Sequence, residues 1–166
     1  MTRRYSKVLR RRDVLASAAG AIAGAAVPGW AIAATARGSL SAGEGVVDIT
    51  PPLGIEMGGF HRAPGNERRI KGNRQPTAAR ALVLRLGGAE VAICSLDVAA
   101  VGKDMSERIR SAVAREVGIA AENVRVCATH THSMPCFCYL RQWGALPADY
   151  MAVLEKKTVE AVRLAK

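Results

Sequence analysis

An α/β fold is what this sequence predicts, with a mixed sheet assembled from a β-hairpin and a βαβ unit. Three observations predict it. Two apolar runs, Ala81–Leu86 and Val91–Leu96, flank the turn-forming stretch Gly87-Gly88-Ala89-Glu90 and read as a hairpin. Met105, Ile109, Val113 and Val117 recur at helical spacing and stop at Gly118, the pattern of an amphipathic helix with a glycine end. Val124, Val126 and Ala128 then alternate with Arg125, Cys127 and Thr129, as the residues of a half-buried strand do.

The chain has 166 residues, enough for one domain. Residues 1–36 are expected to be a cleaved leader rather than part of that domain. Arg3, Arg4, Lys7, Arg10, Arg11 and Arg12 form a basic start, Val14 to Ala36 carry no charge, and Ala31-Ile32-Ala33 or Ala34-Thr35-Ala36 offers a cleavage site. Arg11-Arg12-Asp13-Val14-Leu15 resembles a twin-arginine signal, a route that exports proteins already folded, so the expected location is periplasmic or secreted. A membrane anchor is the competing reading of this apolar run. Abundant Ala and Gly and the interruption at Pro28-Gly29 argue against it, so no stable membrane span is expected after cleavage.

Within residues 37–166, Arg37 to Gly45 reads as a small-residue linker and Val46–Thr50 as a short strand stopped by Pro51 and Pro52. Leu53 to Pro76, rich in Gly and Pro, is expected to be an irregular functional loop, with His61 exposed in it. After the hairpin, Asp97 stands at a strand end, where it serves either a site or a turn. Asp104 with Glu107 three residues on suggests a capping box for the helix. Strand, helix and the strand Asn123–Ala128 make the βαβ unit, whose ligands bind beyond the carboxyl ends of the strands. Pro147 and Asp149 open a last helix with Tyr150, Val153, Leu154, Ala161, Val162 and Ala165 on one side.

Charge and composition narrow the function. The net charge of +10 divides between the leader, with six basic residues and one acidic, and the remainder, with 18 basic against 13 acidic. These charges are scattered and aromatic residues are 4% of the chain, too few for a stacking platform, so nucleic acid is not expected as a partner. Cys94 and Cys127 lie in apolar strand patterns and are expected to be small buried hydrophobes. Cys136-Phe137-Cys138 is read as pocket lining, with a mixed His and Cys zinc site as the alternative. Phe137, Tyr139 and Trp143 fall within seven residues and suggest either the wall of an apolar pocket or a loop packing its own side chains.

Ala128-Thr129-His130-Thr131-His132-Ser133 carries most of the functional case. If the strand's period of two continues, His130 and His132 point to the same side at its carboxyl end. Two converging imidazoles suit a divalent metal, or one metal ligand beside a proton-handling or oxyanion-binding group; the plain alternative is a polar cap on a strand.

With these residues assembled, the chain resembles the N-terminal part of the neutral/alkaline, non-lysosomal ceramidase family. The matching pieces are Val47-Asp48-Ile49-Thr50-Pro51-Pro52-Leu53-Gly54, Ala79-Arg80-Ala81-Leu82-Val83-Leu84, Ser95-Leu96-Asp97 and the His130-Thr131-His132 segment, in the family's order. The resemblance implies an incomplete part of a larger α/β catalytic domain of a zinc-dependent amidase acting on ceramide or related N-acyl lipid amides. His130 matches a zinc ligand (metal: His130) and His132 a residue near the scissile carbonyl (catalytic: His132). The chain departs from the family at Ser133-Met134-Pro135-Cys136, where Ser-Gly-Pro-Gly is usual, and at Asn73-Arg74-Gln75-Pro76-Thr77, where an acidic segment is common. The family's other ligands, a second His, a Glu and a Tyr, lie farther along a longer chain, so this one is expected to be a fragment that binds zinc weakly.

Two other His-x-His chemistries are excluded by the residues after the motif. A metallo-β-lactamase-like site would place Asp and His where Met134 and Pro135 stand, and a barrel amidohydrolase needs many more strands after it than this sequence supplies. From a different class, a non-catalytic exported binding module with an apolar pocket remains the alternative; release of fatty acid from an N-acyl substrate separates the two.

Overall fold

The computed structural model describes residues 38–166 apart from Gln142, so the leader expected over residues 1–36 lies outside the described residues. The elements in chain order are β1 (Ser41–Asp48), β2 (Ala78–Leu86), β3 (Ala89–Leu96), β4 (Ala100–Val101), α1 (Lys103–Val117), a 3-10 turn (Ala121–Asn123), β5 (Val124–Ala128), β6 (Cys136–Phe137) and α2 (Ala148–Ala165). Four strands form a mixed sheet in the order β1-β2-β3-β5. β1–β2 and β2–β3 are antiparallel, while β3 and β5 run parallel, with Leu96 opposite Ala128. The predicted α/β class, hairpin and βαβ unit are therefore present.

Alternation along β2 and β3 sends Ala79, Ala81, Val83, Ala92, Cys94 and Leu96 into a core completed by Met105, Ile109 and Val113 of α1 and by Leu154 and Val162 of α2. Burying the Val, Leu, Ile and Met side chains among these contributes roughly 1.5–3 kcal/mol each, which is why the helical stripes and strand faces dominate the architecture. The opposite face of the sheet carries Val46, Leu82, Val91 and Ile93, each more than a third exposed. Thr158 is fully buried, and its hydroxyl donates to the Leu154 carbonyl (2.8 Å), so it leaves no donor unpaired. Among the described residues no helix is long and apolar enough to cross a membrane.

Several boundaries differ from expectation. β1 begins at Ser41, inside the stretch read as a linker, because small residues there are a packing requirement rather than a sign of looseness. A Cβ on Gly43 would collide with the Ala165 carbonyl, and one on Gly45 with the Ala161 carbonyl, so the two glycines let the α2 backbone lie directly on the strand. The expected capping box is not formed. α1 starts at Lys103 after Gly102, with no side-chain cap, and Glu107 pairs with Lys103 (3.7 Å) instead of reaching back to Asp104. The start is fixed from outside the helix: the Gly102 amide donates to the Phe137 carbonyl (2.9 Å), continuing a second small sheet in which β4 and β6 pair in parallel. That sheet has strands of two residues, too short for periodicity to reveal.

The far end of α1 is as expected, with Gly118 in the left-handed region (φ 80°) and its amide donating to the Val113 carbonyl (3.1 Å). On α2, Val153 is exposed, and Thr158 and Val159 take buried places on the inward side. Cys127 is exposed rather than buried, because it lies on the sheet face that no helix covers; Cys94 is buried as expected, and burial pushes its thiol up to about 12.

Gly45→Ala is expected to destabilise the fold by about 1–3 kcal/mol, the range for forcing extra atoms into a packed contact. Gly88→Ala, whose added Cβ meets nothing within 4 Å, should cost much less in the same urea titration.

Candidate active site

β5 ends at Ala128, two residues before the first histidine, so the alternation of the strand does not itself reach the pair. Pairing persists for one more residue, the Thr129 amide donating to the Leu96 carbonyl (2.9 Å). The backbone then turns at His130, whose φ of 63° is left-handed, a conformation that costs a non-glycine residue about 1–2 kcal/mol. The two imidazoles nevertheless converge, with ring centroids 4.8 Å apart and Nε2 atoms 3.3 Å apart. The sequence-predicted convergence is real, but a strained turn produces it and not the pleat.

Beside this turn runs the segment that follows β3. Its Ala99 carbonyl lies 2.7 Å from His130 Nδ1. A carbonyl only accepts, so Nδ1 carries the proton and Nε2 is left with its lone pair. His132 Nε2–H then donates to that lone pair in the ligand-free chain. This is the arrangement in which a backbone carbonyl fixes tautomer and ring orientation for a metal-binding imidazole. With the proton on His132 Nε2, His130 Nε2 is the one lone pair of the two that is presented to a metal. Among the described residues no group of three or more His, Cys, Asp or Glu gathers to complete such a site.

The long loop Leu53–Pro76 packs onto the histidines. It folds back on itself through the bridge Glu56–Arg69 and docks through the Gly58 amide, which donates to the Met134 carbonyl (3.0 Å). Arg68 is the main tether. Its Nη2 donates to the His132 carbonyl (3.0 Å), and its guanidinium lies 4.8 Å from the centre of the Phe60 ring, which meets His132 edge-on at 4.9 Å. Gly59 sits against the imidazole: a Cβ there would be 2.5 Å from His132 Cγ. Trp143 closes the other side, with ring centroids 6.0 Å from His130 and 5.5 Å from His132.

His61 is exposed as expected but not idle, since Trp143 Nε1 donates to its Nε2 (3.1 Å) and so brings the third histidine to the same cluster. Tyr139 and Trp143 line a cavity of about 440 Å³ beside the pair. Phe137 does not; it is buried in the core against Tyr150, with ring centroids 5.9 Å apart. Cys136 is buried as well, its thiol pushed up by burial and donating to the Cys138 carbonyl (3.0 Å), so the expectation of pocket lining fails for it. Asp97 accepts from the Ala78 amide (3.0 Å) and from Arg80 (2.9 Å), which ties β2 to the end of β3 and settles its role as structural. Sequence reasoning missed Arg68, Gly59 and Phe60. Arg68 stands in a charge cluster that reads as solvated surface, and only the positive φ at Gly59 (106°) demands a glycine.

Gly59→Ala and Gly54→Ala both place a side chain at positive φ, but only the first meets an obstacle. Gly54→Ala should cost about 1 kcal/mol. Gly59→Ala should cost about 1–3 kcal/mol more and displace His132, seen as loss of the His130–His132 ring contacts in NMR spectra.

No protein-family model and no curated protein matches this sequence. Solved structures do. Neutral ceramidase from Pseudomonas aeruginosa matches with a TM-score of 0.65 and 21% identity over 77% of this chain and 21% of that one. A ceramidase complexed with C2 matches with a TM-score of 0.60 and 20% identity over the same shares. This chain spans about a fifth of the length of either. The mixed sheet and helices that carry the histidine pair have the fold of one part of a neutral ceramidase, as the ordered sequence motifs anticipated.

Proposed function

We propose that this chain supplies the histidine end of a zinc-dependent amide hydrolase site acting on N-acyl lipid amides such as ceramide, in a protein exported by the twin-arginine route. The observation that carries this reading is the placement of the His130 imidazole, with Nδ1 2.7 Å from the Ala99 carbonyl and Nε2 turned to His132 Nε2 at 3.3 Å. The ceramidase fold in which it sits supports the choice of reaction.

His130 holds the metal through Nε2 in this reading, and the chemistry zinc supplies there is polarisation of a carbonyl and activation of a water molecule near neutral pH. His132, tethered by Arg68 through its own carbonyl and flanked by Phe60 and Trp143, keeps its Nε2–H at the same point, where it orients a substrate carbonyl or stabilises the negative charge that develops on its oxygen. Trp143 and Phe60 lie edge-on against the His132 ring and restrict its orientation.

The two histidines should fail differently. Zinc titration and fatty-acid release from ceramide are read on the same preparations, with folding checked by circular dichroism. His130→Ala should lose zinc affinity and turnover together. His132→Ala should keep most of the zinc and lose turnover by roughly a hundredfold, the scale for removing one oxyanion donor. Unchanged zinc binding and turnover in both variants would reduce the pair to a polar strand cap and leave a non-catalytic binding module as the function.

A further inference from the structure

A second cavity, of about 550 Å³, lies against the turn that carries the histidines, with Thr131 and Ser133 in its wall. Its charge is one-sided. Arg68, Lys71 and Arg74 all line it, and no Asp or Glu does. Among the described residues none of these cations forms an ion pair. Lys71 and Arg74 are exposed. Half-buried Arg68 uses Nη2 to hold the His132 carbonyl (3.0 Å) and to touch the Met57 sulfur (3.7 Å).

A solvated basic face is the ordinary outcome for a loop of this composition, but such charges stand apart on convex surface. Here they converge on a concavity, where low-dielectric walls focus their field and no carboxylate in the wall offsets it. An anion relieves that repulsion. Three cations exceed what a single negative charge balances, and a phosphate monoester, at about −1.5 to −2 near pH 7, meets them better. Arg74 supplies a fork for two of its oxygens and Lys71 a compact charge for another. Thr131 Oγ1 accepts from the Ser133 amide (3.4 Å), so its O–H is left to donate, and the Ser133 hydroxyl and the Asn73 carboxamide add neutral donors. The volume falls within the usual range of small-molecule sites, about 300–1,000 Å³, and leaves room for a polar organic part beside the phosphate.

We infer that this cavity is a binding site for a phosphate monoester dianion, held by Lys71 and Arg74 with the charge of Arg68 in the wall. The assignment goes beyond the amide-hydrolase reading and does not depend on it. Because Arg68 also holds the His132 carbonyl, one side chain separates the bound anion from the histidine turn. The group is carried either by a soluble ester or by the headgroup of an anionic phospholipid, which present the same oxygens.

Nitrogen-15 NMR titrations of the metal-free full chain at pH 7 with glycerol 3-phosphate, glycerol and dimethyl phosphate test the soluble source. Sedimentation with phosphatidylcholine vesicles, with and without phosphatidic acid, tests the lipid source. Glycerol 3-phosphate should move the Thr131 and Ser133 amide signals saturably, and glycerol should not. Dimethyl phosphate, with one charge, should bind about threefold more weakly. Lys71→Gln and Arg74→Gln should each weaken binding about threefold and together about tenfold, the scale of exposed ion pairs at separate positions. Circular dichroism checks folding, and an unfolded double variant leaves the single ones to decide. Arg69→Gln removes the same charge from the same loop but outside the cavity wall, where Arg69 donates to the Gly54 carbonyl (3.0 Å), and should change binding little. Sedimentation only with phosphatidic acid, lost in the double variant and kept in Arg69→Gln, supports the site with a lipid as its source. Binding of neither source overturns the assignment. So does equal weakening by Arg69→Gln, or dimethyl phosphate binding as tightly as glycerol 3-phosphate, and the histidine site stands in each case.

Discussion

Parallel pairing between β3 and β5 places two strand ends side by side, with Leu96 opposite Ala128 and the Thr129 amide bonded back to the Leu96 carbonyl. The segments leaving those strands, one carrying Ala99 and the other His130, are held close enough to exchange a hydrogen bond. A parallel pair needs a crossover, here α1, and the crossover in turn needs the Met105, Ile109 and Val113 stripe to bury against the sheet. The orientation of one imidazole thus depends on core packing along the whole of α1.

Around that centre the molecule adds restraints from distant sequence. Arg68 and Gly59 come from the long loop, Trp143 from the loop before α2, and they meet at His132 from different sides. The backbone strain at His130 persists because these contacts and the Ala99 carbonyl over-determine its position. The same loop places Arg62 in the wall of the cavity beside the pair.

How much of this is legible in the residues depends on which signals are local. The hairpin and α1 are legible because alternation and helical spacing are written in the residues themselves, and Gly118 marks an end by a conformation few other residues adopt. β1 is half-hidden because Gly43 and Gly45 look like linker residues until α2 is laid upon them. The two-residue strands β4 and β6 leave no period to detect, and they, rather than Asp104, set the start of α1. His130 and His132 stand out by their spacing, although a left-handed turn and not a strand brings them together. Arg68, His61 and Arg62 are hidden for a common reason: a polar residue in a Gly- and Pro-rich loop reads as solvated until the loop is folded onto its partner.

The central claim is that the Ala99 carbonyl dictates which nitrogen of His130 is free. Nitrogen-15 NMR of the imidazoles in the metal-free chain tests it most directly, because a protonated and an unprotonated ring nitrogen have well-separated shifts. The account predicts a His130 ring protonated at Nδ1 and bare at Nε2, with His132 protonated at Nε2. A His130 ring protonated at Nε2 and bare at Nδ1 would contradict it, since the bond to Ala99 would then be absent and the lone pair would point away from the site.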